Sequence, residues 1–458
     1  MKHFLQMSLV LFILWSKSLQ AQQIHTLSLK EAWEQANDNY PGLHERKYLI
    51  EEFKIRKKEV QSQALPQIQL QAQSSFGTLN GSAGAFFPVP GVFNVSGSNA
   101  ILNPDLNNVH NTFGSVLVDW TIFEFGRQRS AVEAAQYQVQ AAESGYQATG
   151  LSLQSKVTRL YIDILYNKAN LQWAQANAIR LNNIRAVTAS LARAGIKPGA
   201  DTSLAASSFL QATANQQEWL GKLNASKINF TEVVPVQSFN LAENGFLKSD
   251  IKHLKTDSVP ISHPYLKLIN DQISYEQTQE SLISKGAYPS LSVLGGLSTR
   301  GNSINPDGSM TPGLTSGFSN YANNYLIGMG LSWNISGIYT SSLGKRRVKQ
   351  TIKGVHAKYD MQKLQMETAL SSVNSRINQQ RIQLIQNRLA EQESRKAYDL
   401  YLVRYEGGLI SITELLQIQS FLQIAEKEFI EAQQVLWNLL ITQAEVSGNF
   451  NYLATQFN

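Results

Sequence analysis

The stretch Tyr405-Glu406-Gly407-Gly408-Leu409-Ile410-Ser411-Ile412-Thr413-Glu414 interrupts one long helical pattern and starts another. Paired glycines supply the positive φ that a tight helix–helix turn needs. Ser411 or Thr413 suits the cap of the outgoing helix, and Glu414 falls in its first turn, where the helix dipole favours an anion. The chain says nearly the same thing earlier, at Ala194-Gly195-Ile196-Lys197-Pro198-Gly199-Ala200-Asp201. In each copy an acid follows the glycine by six residues (201 − 195 = 6; 414 − 408 = 6). Two helical hairpins with matching tips imply a duplicated protein.

Working back from the first tip, no proline interrupts the 69 residues from Gly126 to Ala194. That is on the order of 100 Å of helix at 1.5 Å per residue. Leu153, Val157, Leu160 and Ile164 step by four and three, and the register resumes at Leu171, Ala174, Ala178 and Leu181. A 3.5-residue period sustained over several heptads is a coiled-coil seam. Phe209, Ala212, Trp219, Leu223 and Phe230 continue it on a helix from Asp201 to about Glu232. After the second tip the seam runs unbroken through Leu415, Ile418, Leu422, Ala425, Phe429, Ala432, Leu436 and Leu439.

Ahead of each long helix the period changes to two. In Ala64–Phe76, Ile68, Leu70, Ala72 and Phe76 share one face, and Gln67, Gln69, Gln71 and Gln73 share the other. An apolar face opposite an amide face suits a barrel wall between lipid and a wet lumen, or a half-buried strand of a soluble sheet. Residues 79–110 form a Gly/Ser/Asn/Pro-rich loop. A second strand, Phe113–Phe123, carries Val116, Val118, Trp120 and Ile122 on one face. The second half repeats the arrangement. Leu291, Val293 and Leu297 oppose Ser292, Ser298 and Arg300; a second loop covers 301–320; and Tyr325, Ile327, Met329, Leu331, Trp333 and Ile335 line a fourth strand. Pro41 to Pro66 and Pro264 to Pro289 are both 25 residues, and Trp120 to Gly195 and Trp333 to Gly408 are both 75. Matched spacings of this kind are the signature of a repeat.

The organisation expected is therefore a secretory signal peptide over 1–21, a first repeat over 22–235, a linker over 236–263 and a second repeat over 264–458. Within the repeats the long helices cover 126–194 and 340–405, and the returning helices 201–232 and 411–447. Lys2 and His3, the apolar run Phe4–Trp15 and the exit Ser18-Leu19-Gln20-Ala21 carry the signal reading. The chain has no cysteine, which removes disulfides, cysteine-ligated zinc, thiol catalysis and an acylated lipoprotein anchor. Its formal charge of +6 is mild. Arg127-Gln128-Arg129 and Lys345-Arg346-Arg347 read as solvated helix starts or as contacts with anionic headgroups. An exported chain with no repeating basic-aromatic surface argues against nucleic acid. His3, His25, His44, His110, His253, His263 and His356 include no pair at helix-face metal spacing, and no phosphate loop or nucleophile elbow occurs. Ser152, Ser155 and Lys156 approach a Ser-x-x-Lys spacing, but within coiled coil. No enzyme activity, metal or cofactor is expected.

Four amphipathic strands do not close a membrane barrel: the smallest have about 8, and an open edge in lipid leaves backbone groups unpaired. If the strands face lipid, several chains share one barrel, and three would supply 12 strands. A secreted coiled-coil structural protein would explain the heptads but not the strands.

The signal segment, the duplicated strand–loop–strand and long-helix units, Trp-x-x-Phe-x-x-Gly-Arg at Trp120–Arg127, and Tyr405 with Gly408 and Glu414 resemble the TolC-like outer membrane efflux proteins. The resemblance implies an α+β membrane protein, with a trimeric 12-stranded outer-membrane barrel continuous with a periplasmic α-helical barrel. It also implies outer-membrane lipid, a periplasmic adaptor and an inner-membrane pump (RND or ABC type) as partners, serving small-molecule efflux or type I protein secretion. Tip residues Gly195, Gly199, Gly407 and Gly408 would dock the adaptor. Tyr405 matches a residue that helps to close the aperture, and Glu414 matches an acid that rings it. The next acid position holds Gln417, and the family's arginine is replaced by Ile410; Lys197 is the candidate substitute. Glu414 can equally be a helix-start acid, and Asp201 reads as a cap.

Overall fold

The computed structural model describes residues 25–77, 108–236, 239–242, 246–247, 258–305, 307, 309, 311–313 and 315–457. The expected signal peptide and most of the 79–110 loop lie outside them. In chain order the elements are β1 (His25–Leu27), α1 (Leu29–Asn39), α2 (Pro41–Ser62), β2 (Gln67–Gly77), β3 (Val109–Phe123), α3 (Arg127–Arg193), α4 (Gly199–Thr231), β4 (Phe239–Leu241), α5 (Pro264–Lys285), β5 (Ser290–Asn302), β6 (Ala322–Ser332), α6 (Ser336–Glu406), α7 (Ile412–Ser447) and α8 (Asn451–Ala454). The chain divides into two units. One comprises residues up to Arg46, Tyr146–Leu266 and from Met361 onward; the other comprises Lys47–Gly145 and Lys267–Asp360.

The first unit is helical, and its core follows the heptads. Leu153, Val157, Ile164, Ala174, Ala178 and Leu181 of α3 are buried, as are Leu415, Leu422, Ala425, Ala432, Leu436 and Leu439 of α7. Ala212, Trp219, Leu223 and Phe230 of α4 are buried too. A capping box at Ser28 and Glu31 starts α1 and sets Leu29, Ala32, Trp33 and Ala36 into this core. The segment read as a linker contains a strand: β4 pairs in parallel with β1. Two three-residue strands carry no periodicity, so the sequence offers no signal for them. Side chains of the long helices pin this small sheet. The Tyr161 hydroxyl lies 3.1 and 3.0 Å from the carbonyls of Leu27 and Ala242, and the Trp437 indole donates to the Phe246 carbonyl at 3.1 Å.

The second unit holds a four-stranded antiparallel sheet in the order β2-β3-β5-β6. The internal repeat is exact in its hairpins. Gln67 pairs with Asp119 and Gly77 with Val109; advancing the first strand by 223 and the second by 213 gives Ser290 with Ser332 and Arg300 with Ala322, which are the observed pairs. The same shifts carry the hydrogen bond from the Trp120 indole to the Ala64 carbonyl (2.9 Å) onto that from Trp333 to the Ala287 carbonyl (3.1 Å). Several strand and helix ends differ from the sequence reading. β3 begins at Val109, β5 continues to Asn302, and α6 begins at Ser336 rather than near 340. Gly337 at the head of α6 is reached by the Asn334 side chain and carbonyl, which provide the start that the sequence pattern does not announce.

Candidate channel wall and helical tips

Burial on the sheet is inverted relative to a soluble protein. Ile68, Leu70, Val116, Val118, Leu297, Val293, Tyr325, Ile327, Met329 and Leu331 share one face through the strand registers. Within the chain that face is bare: Leu70 is 80% exposed, Ile327 76% and Leu331 70%. A contiguous apolar face of this extent is covered by something other than water. Aromatic side chains gather at both strand ends. Trp120, Phe123, Phe125, Tyr288 and Trp333 sit near the helix junctions, with Phe125 stacked on Tyr288 at 5.4 Å; Phe76, Phe318 and Tyr321 sit at the other end. Strands of 11 to 15 residues are long enough to cross a hydrocarbon layer.

The opposite face carries Gln67, Gln69, Gln71 and Gln73. Across the ladder they meet Asp119, Leu117, Ser115 and Phe113. Gln67 and Gln69 are exposed, Gln71 and Gln73 half-buried, and the Gln67 amide donates to the Leu65 carbonyl at 3.1 Å. This face is not wholly polar, because Leu117, Leu294 and Leu326 interrupt its amides, hydroxyls and glycines. Of the basic runs at the helix starts, Arg127 pairs with Glu124 at 2.7 Å and Lys345 lies 3.9 Å from Glu280.

The two tips, both in the first unit, close with the same backbone device. Ile196 N–H donates to the Leu191 carbonyl and Leu409 N–H to the Arg404 carbonyl, at 3.0 and 2.9 Å. Each is the six-to-one bond of a Schellman turn. Gly195 (φ +74°) and Gly408 (φ +76°) take the left-handed position that this turn requires. Gly407 does not share that role, so one glycine of the pair, not both, supplies the positive φ. Gly199 opens α4.

Ser411, not Thr413, caps α7, in a reciprocal box with Glu414. The Glu414 carboxylate accepts from the Ser411 N–H at 2.8 Å and from its hydroxyl at 3.0 Å, and these bonds hold it below the usual carboxylate range. Glu414 is fully exposed and stays ionised at neutral pH, as both a capping acid and an outward charge. Gln417, one turn on, is exposed. Asp201 is not the cap of α4. That position is Pro198, which has no side-chain acceptor, and Asp201 sits in the first turn.

Tyr405, Lys197 and Asp201 are brought together. Tyr405 is fully buried, with its hydroxyl 2.9 Å from Thr188 Oγ1. Thr188 donates its own proton to the Ile184 carbonyl at 2.7 Å, which leaves it to accept from Tyr405. Burial pushes the Tyr405 phenol up, and the Asp201 carboxylate pushes the same way, against the Thr188 hydrogen bond. Lys197 Nζ donates to the Ile410 carbonyl at 2.8 Å, reaches the Gly408 carbonyl at 3.4 Å, and stands 5.7 Å over the Tyr405 ring. Thus the first tip's only lysine grips the backbone of the second.

Sequence reading missed Thr188, although a threonine following Leu181 and Ile184 in the seam is a visible irregularity. It also missed the buried ion pair behind the tips. Arg180 forks onto Glu426 at 3.1 and 2.5 Å, and Arg395 reaches the same carboxylate at 2.7 Å. Asn177 and Gln419 form a further buried contact between α3 and α7.

Residues 33–233 match the outer membrane efflux protein family. No curated protein matches the chain in sequence. Among solved structures, the outer membrane protein VceC from Vibrio cholerae aligns with a TM-score of 0.70 at 14% identity, over 92% of this chain and 97% of its own. The Campylobacter jejuni CmeC outer membrane channel aligns at 0.70 and 14%, over 94% and 91%. The open state of the Neisseria gonorrhoeae MtrE outer membrane channel aligns at 0.69 and 14%, over 92% and 89%. Family and fold agree: the chain belongs, through residues 33–233, to the TolC-like outer membrane efflux proteins, and it carries the fold of such channels across both of its repeats.

Proposed function

We propose that the protein is the passive exit duct of a tripartite efflux system in the outer membrane of a Gram-negative bacterium, with a periplasmic extension. Three copies pool their strands into one 12-stranded barrel, and their helices form the periplasmic tube. An inner-membrane pump supplies the energy, and a periplasmic adaptor docks at the tips around Gly195, Gly199, Gly407 and Gly408. The observation that carries this reading is the sheet: four strands with a bare apolar face, an amide-rich opposite face and open edges at β2 and β6. An open edge in hydrocarbon leaves backbone donors and acceptors unpaired, so such a sheet is complete only in a closed ring.

At the tips, Glu414 and Asp201 supply the negative charge of the aperture, and Gln417 leaves the next ring uncharged. Tyr405 and Lys197 hold the two tips together. The Lys197 bond to the Ile410 carbonyl supports its substitution for the absent arginine, since it joins the same two turns. Conductance in planar bilayers tests the reading. Glu414→Ala weakens block of the channel by multivalent cations; an unchanged block removes Glu414 from the aperture, and absence of any conductance removes the duct.

A further inference from the structure

Among the described residues, β2 and β6 each pair on one side only. Both free edges belong to strands whose apolar residues are exposed, an arrangement that soluble proteins avoid. The internal repeat says what they meet. The inter-repeat pairing β3–β5 is the contact that joins the end of one repeat's hairpin to the start of the next. A second copy placed by the same rule would set β6 against its β2. The rule is quantitative, because the shifts of 213 and 223 reproduce every residue of the second hairpin from the first.

We infer that β6 of one copy pairs antiparallel with β2 of the next, in the register dictated by β3–β5. The inference rests on the shared-barrel reading and adds its residue-level geometry. Trp120 faces Val293, Val118 faces Gly295, Val116 faces Leu297 and Gly114 faces Thr299. Advancing the first residue by 213 and returning the second by 223 places Trp333 opposite Leu70, Leu331 opposite Ala72, Met329 opposite Ser74, and Ile327 opposite Phe76 of the next copy.

An independent feature agrees. Pleating puts alternate residues on opposite faces, so a slip of one residue would turn the apolar face of β6 onto the amide face of β2. The derived register does not do this. It continues the exposed row Ile327, Met329, Leu331 and Trp333 into Leu70, Ala72 and Phe76. Gly330 meets Gln73 and Ser332 meets Gln71 on the other face. The contact joins two different edges, so it is head-to-tail and generates a ring when the rotation closes.

Absence of native cysteine makes the test clean. Directly opposed residues on antiparallel strands have Cα atoms about 4.5–5.5 Å apart, within disulfide reach. Inside one chain the two edges are three strand spacings apart, roughly 14 Å, and do not cross-link. Oxidised Ala72→Cys/Leu331→Cys and Ser74→Cys/Met329→Cys proteins should therefore run as covalent dimers and closed rings on non-reducing gels. Ala72→Cys/Ile327→Cys, displaced by four residues or about 13 Å, should stay monomeric. Cross-links in the displaced pair but not the matched pairs overturn the register. No cross-link in any pair, from protein that is oligomeric by native mass, overturns the strand pairing. Protein that is monomeric by native mass instead sinks the shared barrel itself.

Discussion

Replacing Glu426 with glutamine keeps the side-chain shape and removes one charge from the helical unit. The carboxylate is 9% exposed and takes both Nη groups of Arg180, which is 13% exposed. Removing one partner of a buried ion pair costs about 3–5 kcal/mol, because the other charge stays behind. Arg180 is poorly placed to recover, since its buried Nε already lacks a hydrogen-bond partner. Arg395 is half exposed and keeps Glu391 at 2.6 Å, so its share of the loss is small. The lower end, about 3 kcal/mol, is the expected cost. At 1.36 kcal/mol per decade that is roughly a 10²-fold rise in local opening. Hydrogen-exchange mass spectrometry reads it on peptides around Arg180 of α3 and Glu426 of α7. Glu393→Gln removes an exposed pair with Lys396 and should change exchange less than about threefold. Glu426→Leu/Arg180→Leu should recover most of the protection, since no lone charge is left buried. Unchanged exchange in Glu426→Gln would refute the reasoning.

The tip turns make a paired prediction. Gly408→Ala forces an L residue to φ +76° and should cost about 1–2 kcal/mol in denaturant titration, whereas Gly407→Ala, at ordinary φ, should stay within about 0.5. Equal costs would mean that the Schellman geometry does not decide the turn. Lys197→Met keeps the stem but loses the bonds to the Ile410 and Gly408 carbonyls, worth about 1.5 kcal/mol. It should raise basal single-channel conductance, and wild-type conductance would leave Lys197 outside the closure. His263 gives a pH dependence. Its Nδ1 accepts from the Tyr265 N–H at 3.2 Å, so Nε2 carries the proton and donates to the Glu445 carbonyl at 2.9 Å. Burial holds the ring below its ordinary value. The unfolded state then binds more protons below about pH 6.5, so this contribution is present above that pH and is lost as pH falls. The slope approaches 1.4 kcal/mol per unit, and His263→Gln should flatten the acid limb of the stability curve; an unaltered limb would contradict the neutral, buried ring.

The parts of this molecule governed by a period were legible in the sequence. Val157, Ala174 and Leu422 are buried because a 3.5-residue repeat admits one arrangement of two long helices. The apolar face of β2 could be read from Ile68, Leu70 and Ala72, because alternation fixes which side chains share a face. Contacts that depend on side chains meeting across long sequence separations were not legible. Arg180 and Glu426, 246 residues apart, each look like part of a solvated helix surface. The pairing of β1 with β4 had no local signature. At the tips the chemistry was readable but its division of labour was not: a glycine pair does not announce which member turns left-handed. Nor does an acid in a first turn announce whether it shares a capping box, as Glu414 does with Ser411, or follows an uncapped proline, as Asp201 follows Pro198.

The central claim is that several chains complete one membrane barrel. Native mass spectrometry of the detergent-extracted mature protein tests it most directly. The account predicts three copies of the chain in one particle, released only by detergent. A monomer that leaves the membrane without detergent would place the four strands in a soluble sheet and contradict the account.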